Sequence, residues 1–320
     1  MSELHLRPAG KPTMYFIGVT TTRSMIMRVF PAWARYLELG DCQLKGIDLK
    51  QHDSAERYRQ VVSFIKSDPL SLGALVTTHK IDLLRASRDM FDELDDFGSL
   101  MGEVSSISKM DGRLYGGAKD PISSALALET FIPAQHWENK VSQAFLMGAG
   151  GSSIALCSYL ARPQHEENRP SKIFVSNRSP GRLKEIEEIH RRQLMDVPVQ
   201  YILTPHPEDN DAVMRKLGPG SLVVNATGLG KDAPGSPITD QAQFPSHGMA
   251  WDFNYRGDLV FLRQAQSQAE ARSLRVEDGW LYFINGWLAV IGEVFHKDIP
   301  FWGPEFDELC RIAEKEKGRE

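Results

Sequence analysis

The sequence predicts an α/β protein of two domains, each built on a sheet with helices packed against it. Its 320 residues are long for one hydrophobic core and suit two domains. Short apolar runs that fit buried strands alternate with stretches of helical periodicity along the chain. One such run, 144–147, leads directly into a glycine turn at 148–151 and then into a helical stretch. A strand, a glycine turn and a helix in this order are typical of a parallel sheet that binds a dinucleotide.

The first half of the chain alternates strands and helices and ends in a hairpin. Periodicity predicts strands at 13–19, 43–48 and 72–77 and helices at 25–39, 55–66 and 80–90. Ser54 is placed to cap the second of these helices, and Asp111-Gly112 between two strand-like runs is a strong hairpin signal. Residues 1–12 are expected to be a disordered leader. The acidic run at 92–96 is expected to be a solvated turn rather than a metal site, because no His or Cys accompanies it.

The second half continues the alternation after the helix that Asp120 opens. Strands are predicted at 144–147, 172–176, 199–203, 221–224 and 249–253, and helices at 152–160, 183–191, 209–216, 259–272, 280–295 and 305–317. In the helix after the glycine turn, Ile154, Leu156 and Leu160 are expected to form the buried side. Residues 163–171 are expected to be a surface loop inserted between that helix and the next strand.

The composition excludes several classes of protein. The chain is 42% hydrophobic and 25% charged, as ordinary globular proteins are, and its net charge of −5 argues against nucleic-acid binding. Its three cysteines are widely spaced, which argues against a disulfide framework or a zinc site. No apolar run fits a signal peptide or a membrane span, so a cytoplasmic protein with a small-molecule partner and no metal is expected. A monomer and a homodimer both stay open.

The glycine turn predicts a cofactor. Glycines let the backbone turn tightly and approach a pyrophosphate, while the free N–H groups of the following helix point at it. Such a turn is a weak signal alone, and the strand and helix patterns on either side strengthen it. Ser153 takes the third glycine position of the usual pattern and is still small. The residues expected to hold the pyrophosphate are Gly148, Ala149, Gly150, Gly151 and Ser152.

Two further loops follow strands of the same domain. An NAD enzyme places Asp or Glu after the second strand to bind the ribose 2′-OH, but the loop Asn177-Arg178-Ser179 has no acid. Arg178 can pair with a 2′-phosphate through its planar guanidinium, so NADP is predicted over NAD. The alternative is a plain helix start with Ser179 as its cap. The third loop, Asn225-Ala226-Thr227-Gly228, is expected near the nicotinamide ribose, where Gly228 would let the backbone approach.

Hydride transfer at a hydroxyl carbon also needs a group that moves the hydroxyl proton. Lys80, at the end of a strand, is the leading candidate, because a lysine that loses hydration in a closed cleft exchanges protons nearer to neutral pH. Asp120, at the start of a helix, is placed to orient the same hydroxyl and to balance the charge of the lysine. Taken alone, each of these residue types is more often found at the surface.

The order and spacing of these motifs resemble the shikimate dehydrogenases from about residue 14 to 300. The cofactor half matches in its glycine turn, in 177–179, in 225–230 and in Asp252-x-x-Tyr255. The resemblance implies a substrate-binding α/β domain at 13–119, completed by helices at 280–320, and a Rossmann-type NADP domain at 120–279, with a cleft between them. It implies that Tyr255 and Gly279 belong to the cofactor site and that Lys80 and Asp120 are the catalytic pair.

The substrate half departs from the family's pattern. The family's N-V-T-x-P-x-K appears as 74–80 and keeps Lys80, and its G-x-N-T-D appears as 116–120 and keeps Asp120. One carboxylate-binding serine corresponds to Ser24, the other has become Ile26, and a substrate-binding asparagine has become Ser105. The substrate-binding positions implied by the resemblance are Ser24, Ile26, Val76, Thr78, Ser105 and Asn285. Replacement contacts are expected from Thr21, Thr22, Arg23, Thr77, Thr78 and Lys119.

Losing several hydrogen-bonding groups should change the preferred substrate, because a site built around such groups discriminates through them. The hypothesis is therefore an NADP-dependent oxidoreductase that resembles shikimate dehydrogenase and acts on a related hydroxy acid or cyclic polyol. One alternative is an authentic shikimate or quinate dehydrogenase whose substitutions compensate one another, and a methylenetetrahydrofolate dehydrogenase fits the motifs less well. Another is a non-catalytic NADP-binding regulatory protein, against which the retention of Lys80 and Asp120 argues.

Overall fold

Two six-stranded sheets organise the chain, and each belongs to its own unit. The computed structural model describes residues 6–139, 141–162, 168–193, 195–231 and 233–318. One unit takes the described residues up to Lys119 and those from Ile284 onward, and the other is Asp120–Phe283. The first unit is therefore discontinuous in sequence.

The first unit is an α/β unit whose sheet mixes parallel and antiparallel strands. Its strands are β1 (Thr13–Gly18), β2 (Gln43–Asp48), β3 (Ser71–Val76), β4 (Glu93–Leu94), β5 (Ser106–Met110) and β6 (Arg113–Gly117). Its helices before residue 119 are α1 (Ile26–Tyr36), α2 (Ala55–Ser67), α3 (Lys80–Ser87) and α4 (Asp96–Met101). The strand order is β2-β1-β3-β5-β6-β4, with β1 parallel to β2 and β3, and β5 antiparallel to β3 and β6.

Local sequence signals account for these elements. All six residues of β1 are buried, as expected for a strand covered on both faces. The Ser54 side chain accepts a hydrogen bond from the N–H of Arg57 and so caps α2, as predicted. Asp111 and Gly112 both have positive φ, 51° and 76°, which matches the right-handed twist of the β5–β6 hairpin.

The second unit is a doubly wound parallel sheet. Its strands are β7 (Ala144–Met147), β8 (Ile173–Asn177), β9 (Val199–Leu203), β10 (Leu222–Asn225), β11 (Met249–Asp252) and β12 (Arg275–Glu277). Its helices are α5 (Asp120–Glu129), α6 (Gly151–Leu160), α7 (Pro180–Arg191), α8 (Pro207–Met214), α9 (Val260–Gln266) and α10 (Ala269–Arg272). Helix α11 (Trp280–Phe295) begins in this unit and ends in the first, which also holds α12 (Pro304–Lys317).

The order of this sheet, β12-β11-β10-β7-β8-β9, is that of the Rossmann fold with β7 as its first strand. The chain order reverses between β7 and β10, which are neighbours in the sheet. In such a sheet the ligand binds at the carboxyl ends of the strands around this point. The predicted α/β class with a Rossmann-type unit is confirmed.

Several expectations are wrong in detail. The predicted helix at 259–272 is two helices, because the side chain of Gln268 bonds the N–H of Phe244 and the C=O of Ala242 and holds the chain where the helix breaks. Helix α6 has no single buried side, since residues 153–160 are all buried. The two short strands β4 and β12 were not predicted, because runs of two and three residues show no periodicity.

The leader and the acidic run also differ from expectation. Within residues 6–12, the N–H of Ala9 donates to the Asp68 carboxylate at 2.8 Å and attaches this segment to the first unit. Residues 1–5 lie outside the described ranges. The acidic run is structural, because Asp92 accepts from the N–H of Leu114 and Asp95 caps α4. Of the predicted loop at 163–171, residues 163–167 also lie outside the description. Among the helices that are described, none is both long and apolar enough to cross a bilayer.

Candidate functional site

The turn between β7 and α6 uses its glycines for two different purposes. Gly148 has φ of 111°, and a Cβ there would lie 2.7 Å from the carbonyl oxygen of Ala226. Its N–H donates to the C=O of Ser176 on β8 at 2.8 Å. Gly150 instead has ordinary extended backbone and open space where a Cβ would stand. Gly148 is thus required by the fold, whereas Gly150 leaves one side of the turn open.

Helix α6 begins at Gly151, directly after this open turn. The first N–H groups of a helix have no acceptor within it, and they carry the positive end of its dipole. Ser152 lies in this first turn, and its hydroxyl accepts a hydrogen bond from the hydroxyl of Tyr282 at 3.1 Å. Ala149 is buried and Ser152 partly exposed. The predicted pyrophosphate residues therefore form a helix amino terminus suited to an anion.

The predicted 2′-phosphate loop lies beside the glycine turn. Strands β7 and β8 are parallel neighbours with Met147 opposite Ser176, so both loops leave the same edge of the sheet. The side chain of Asn177 donates to the C=O of Ser179, and Ser179 precedes α7 without a side-chain cap bond. Arg178 is exposed and makes no hydrogen bond or ion pair with the described residues. Its guanidinium is accessible to an anion at this edge.

The third loop is held by a buried hydrogen-bond network that starts from Asn225. The side-chain oxygen of Asn225 accepts from the N–H and the hydroxyl of Thr227, and its side-chain nitrogen donates to Asp252 at 3.1 Å. Asn225 is fully buried. Its side chain is thus used to shape the loop. Gly228 is exposed, and the residue with positive φ in this loop is Gly230, at 89°.

Asp252 and Asn254 support the same loop from the end of β11. Asp252 accepts from the N–H of Asn254 at 2.9 Å, and the side chain of Asn254 donates to the carbonyls of Thr227 and Leu229. The other carboxylate oxygen of Asp252 is buried and has no hydrogen-bond partner among the described residues. Burial raises the pKa of Asp252 to about 7, against the lowering effect of these hydrogen bonds.

Tyr255 and Gly279 lie near the end of β11 and the start of α11. The ring of Tyr255 packs at 4.5 Å from that of Phe283 and at 5.6 Å from that of Trp280. A Cβ at Gly279 would lie 2.1 Å from the carbonyl oxygen of Phe253, so the glycine is needed for close packing. Asn254 was missed by the sequence reasoning, although it stands inside the Asp252-x-x-Tyr255 motif.

In the first unit, Lys80 is the first residue of α3 and is half-buried. The loop before it is tight, with Thr78 in the left-handed region at φ of 63° and exposed. His79 is buried and its ring bonds the hydroxyl of Tyr58 at 3.0 Å; burial lowers the pKa of His79. The carbonyl of Lys80 accepts from the N–H of Val104. The position of Lys80 is thus set by the core on one side and by 104–105 on the other.

Ser105 joins this segment to the end of β6. Its hydroxyl accepts from the N–H of Lys119 at 2.7 Å, and its N–H donates to the C=O of Gly117 at 2.9 Å. Ser105 is only 3% exposed. Its side chain therefore bonds to the backbone that leads to Asp120, the residue that opens the second unit.

The other predicted substrate residues of this unit differ in accessibility. Ile26 and Val76 are buried in full or nearly so, and Ser24 is half-buried. Asn285 is buried, and its side-chain oxygen accepts no hydrogen bond from the described residues. Two expected replacement contacts have other roles. Thr21 is buried and donates to Asp48 through its N–H and its hydroxyl, and Lys119 pairs with two carboxylates. No group of three metal-ligating side chains occurs in the described ranges.

Comparisons with known proteins agree with the motifs. A shikimate dehydrogenase (NADP(+)) of Streptococcus sanguinis is 28% identical over 178 residues, which cover 55% of this chain and 58% of that protein. That of Brucella abortus is 24% identical over 298 residues, or 92% of this chain and 87% of that protein. The chain is similar in sequence to shikimate dehydrogenases. The resemblance predicted from its motifs is confirmed, although no protein-family model matches the chain.

Solved structures share the fold of this chain. The shikimate 5-dehydrogenase of Thermus thermophilus in complex with NADP(H) and shikimate gives a TM-score of 0.66 at 20% identity, over 95% of this chain and 99% of that one. A ligand-free 5-ketofructose reductase of Gluconobacter gives a TM-score of 0.64 at 14% identity, over 95% and 98%. The chain spans a little over half the length of the streptococcal shikimate dehydrogenase, 58%.

Proposed function

We propose that this chain is an NADP-dependent oxidoreductase of the shikimate dehydrogenase type. It would transfer a hydride between NADP(H) and a ring hydroxyl or ketone of a shikimate-like hydroxy acid or a cyclic polyol. The observation that carries the proposal is the set of three loops at one edge of the Rossmann-type sheet, which follow β7, β8 and β10. The streptococcal and Brucella relatives are shikimate dehydrogenases (NADP(+)), which supports the same cofactor and reaction.

The residues of these loops fit NADP. The amino terminus of α6, with Gly150 leaving open space, suits the pyrophosphate. The exposed guanidinium of Arg178 suits a 2′-phosphate, and none of residues 177–179 is an acid that would repel it. Asn225 and Asp252 hold the loop that would line the nicotinamide ribose. When bound, NADP supplies the carbon that accepts or gives the hydride.

The chain itself supplies the proton transfer. We assign this role to Lys80, which would take the hydroxyl proton during oxidation and return it during reduction. Asp120 would orient the reacting group and balance the charge that Lys80 carries once it has taken the proton. This sequence keeps both members of the family's catalytic pair at the matching positions, and their retention supports an enzyme over a binding protein.

The substrate is proposed to differ from shikimate. Ile26 and Val76 offer no hydrogen-bonding group, and the hydroxyl of Ser105 accepts from the N–H of Lys119. A polar substrate group that loses its partner in the site costs about 1–3 kcal/mol. Several such losses would disfavour shikimate strongly. The 5-ketofructose reductase of the same fold illustrates that a protein of this architecture can act on another keto compound.

The test is NADP reduction by the purified chain with a panel of shikimate, quinate, cyclic polyols and hydroxy acids, and NADPH oxidation with the matching ketones. We expect turnover with a member other than shikimate, and a Michaelis constant at least about tenfold lower for NADP than for NAD. Efficient turnover of shikimate would refute the altered substrate. A preference for NAD would refute the role of Arg178. NADP binding without any turnover would favour the regulatory protein.

A further inference from the structure

Lys119, the residue before Asp120, is held between two carboxylates of the first unit. Its ammonium nitrogen lies 3.1 Å from a carboxylate oxygen of Asp95 and 2.9 Å from one of Glu293. The side chain is 13% exposed, whereas those of Asp95 and Glu293 are 31% and 41% exposed. Asp95 precedes α4 and Glu293 lies on α11, so this one side chain joins three separate parts of the unit.

The backbone around Lys119 is fixed by the same neighbours. One oxygen of Asp95 accepts from the N–H of Ala118 at 3.1 Å and from that of Gly98 at 2.7 Å. The N–H of Asp95 donates to the C=O of Gly116, and the N–H of Lys119 donates to the hydroxyl of Ser105. The backbone N–H groups of Ala118 and Lys119 are therefore hydrogen-bonded, and the side chain of Lys119 is held by its two ion pairs.

Two observations indicate that this arrangement is specific. A Cβ at Gly117 would lie 2.5 Å from the Asp95 carboxylate and 3.1 Å from the Cε of Lys119, so a glycine is required for the ion pair to close. Burial alone would lower the pKa of Lys119, but the hydrogen bonds and charges of Glu293 and Asp95 outweigh it and raise the pKa. The ammonium is thus charged and is held by both carboxylates.

We infer that Lys119 is a positioning residue. It clamps the end of β6 to Asp95 and Glu293 and thereby fixes the position of Asp120, the next residue. This assignment replaces the expectation that Lys119 contacts the substrate. It rests on the proposed function only in that Asp120 is taken to orient the reacting hydroxyl. A carboxylate misplaced by about an ångström is enough to slow a reaction substantially, even when binding is unchanged.

The test compares Lys119→Met and Lys119→Arg in the full chain, with Lys66→Met as the matched control. Lys66 also pairs with a carboxylate, that of Asp92 at 2.9 Å, but it lies at the end of α2. The first readout is hydrogen exchange at the amides of Ala118 and Lys119, which needs no substrate. We expect protection to fall about tenfold in Lys119→Met, to be largely kept in Lys119→Arg, and to be unchanged in Lys66→Met.

The second readout is steady-state kinetics with the substrate found by the panel. We expect kcat of Lys119→Met to fall at least about tenfold while the KM values for NADP and substrate change less than about twofold. Lys119→Arg should recover most of kcat, since a guanidinium can reach both carboxylates. Unchanged amide protection would overturn the clamp. A raised substrate KM with normal kcat would overturn it in favour of a substrate contact. If the wild type acts on nothing in the panel, the proposed function fails, and the exchange experiment still decides the clamp.

Discussion

At the scale of single residues, Asp252 shows how a motif residue acts through burial. Its carboxylate is fully buried, bonds Asn225 and Asn254 through one oxygen, and lies near the charge of Asp278, which adds to the rise of its pKa to about 7. In an unfolded chain an Asp has a pKa of about 3.9. Between these values the folded state binds more protons than the unfolded one. The stability of the protein should therefore fall as pH rises from about 4 to 7, by up to about 1.4 kcal/mol per pH unit from this group.

The measurement is denaturant unfolding of the wild type and of Asp252→Asn at several pH values in this range. An amide at this position cannot ionise, so the variant should lack this part of the pH slope, even if its stability at pH 4 is lower. Asp240→Asn is the control, because Asp240 is an exposed carboxylate of the same unit. Equal slopes for Asp252→Asn and the wild type would contradict the raised pKa.

Residue roles were harder to predict than residue identities. The motifs located Asn225 and Ser105, but both side chains bond to the protein itself. One partner of Asn225, Asp252, stands 27 residues away on β11, and Lys119, a partner of Ser105, stands 14 residues away. No local pattern reports such pairs, because they depend on which strands become neighbours. For the same reason Thr21 was predicted from its polar loop to contact the substrate, whereas it is buried and donates to Asp48.

At the scale of the element, the glycine turn makes a prediction that separates folding from ligand binding. Gly148→Ala would place a Cβ 2.7 Å from the Ala226 carbonyl at a positive φ, so it should destabilise the protein by roughly 1–3 kcal/mol. Gly150→Ala meets open space and an ordinary φ, so the folded state should tolerate it. A methyl group on that open side should nevertheless weaken NADP binding by about tenfold, or about 1.4 kcal/mol.

Thermal unfolding and NADP titration of both variants check this pair. Gly148→Ala should lower the melting temperature more than Gly150→Ala does. Gly150→Ala should lower the affinity for NADP with little change in melting temperature. Normal NADP affinity in Gly150→Ala would show that the pyrophosphate does not approach this part of the turn. The sequence could identify the turn because strand, glycines and helix are contiguous. It could not tell the two glycines apart, since they differ in backbone conformation and in the approach of the Ala226 carbonyl, which follows β10.

At the scale of the whole molecule, regular alternation was sufficient to predict an α/β protein, and the glycine turn and the family resemblance predicted a Rossmann-type domain in its second half. The limits of the two domains were predicted from the resemblance and not from the alternation. Helix α11 is one continuous element of sixteen residues, yet it contributes to both units. Its periodicity does not indicate the residue at which one unit ends and the other begins. The antiparallel β5 and β6 were predictable because Asp111-Gly112 encodes their turn. The short edge strands β4 and β12 form only where a neighbouring strand is present to pair with them.

Lys80 and the candidate cofactor residues belong to different units, and this separation can be tested. All candidate cofactor residues lie between 120 and 283, whereas Lys80 lies in the first unit. Lys80→Ala removes the group assigned to proton transfer without touching a cofactor loop, so turnover should fall about 10²–10⁴-fold. The rise in melting temperature caused by NADP should stay as in the wild type, because it depends only on affinity and concentration. Unchanged turnover would remove Lys80 from the mechanism. A lost thermal shift would show that the alanine disturbs the cofactor unit, so that cofactor affinity and proton transfer are not carried by separate parts of the chain.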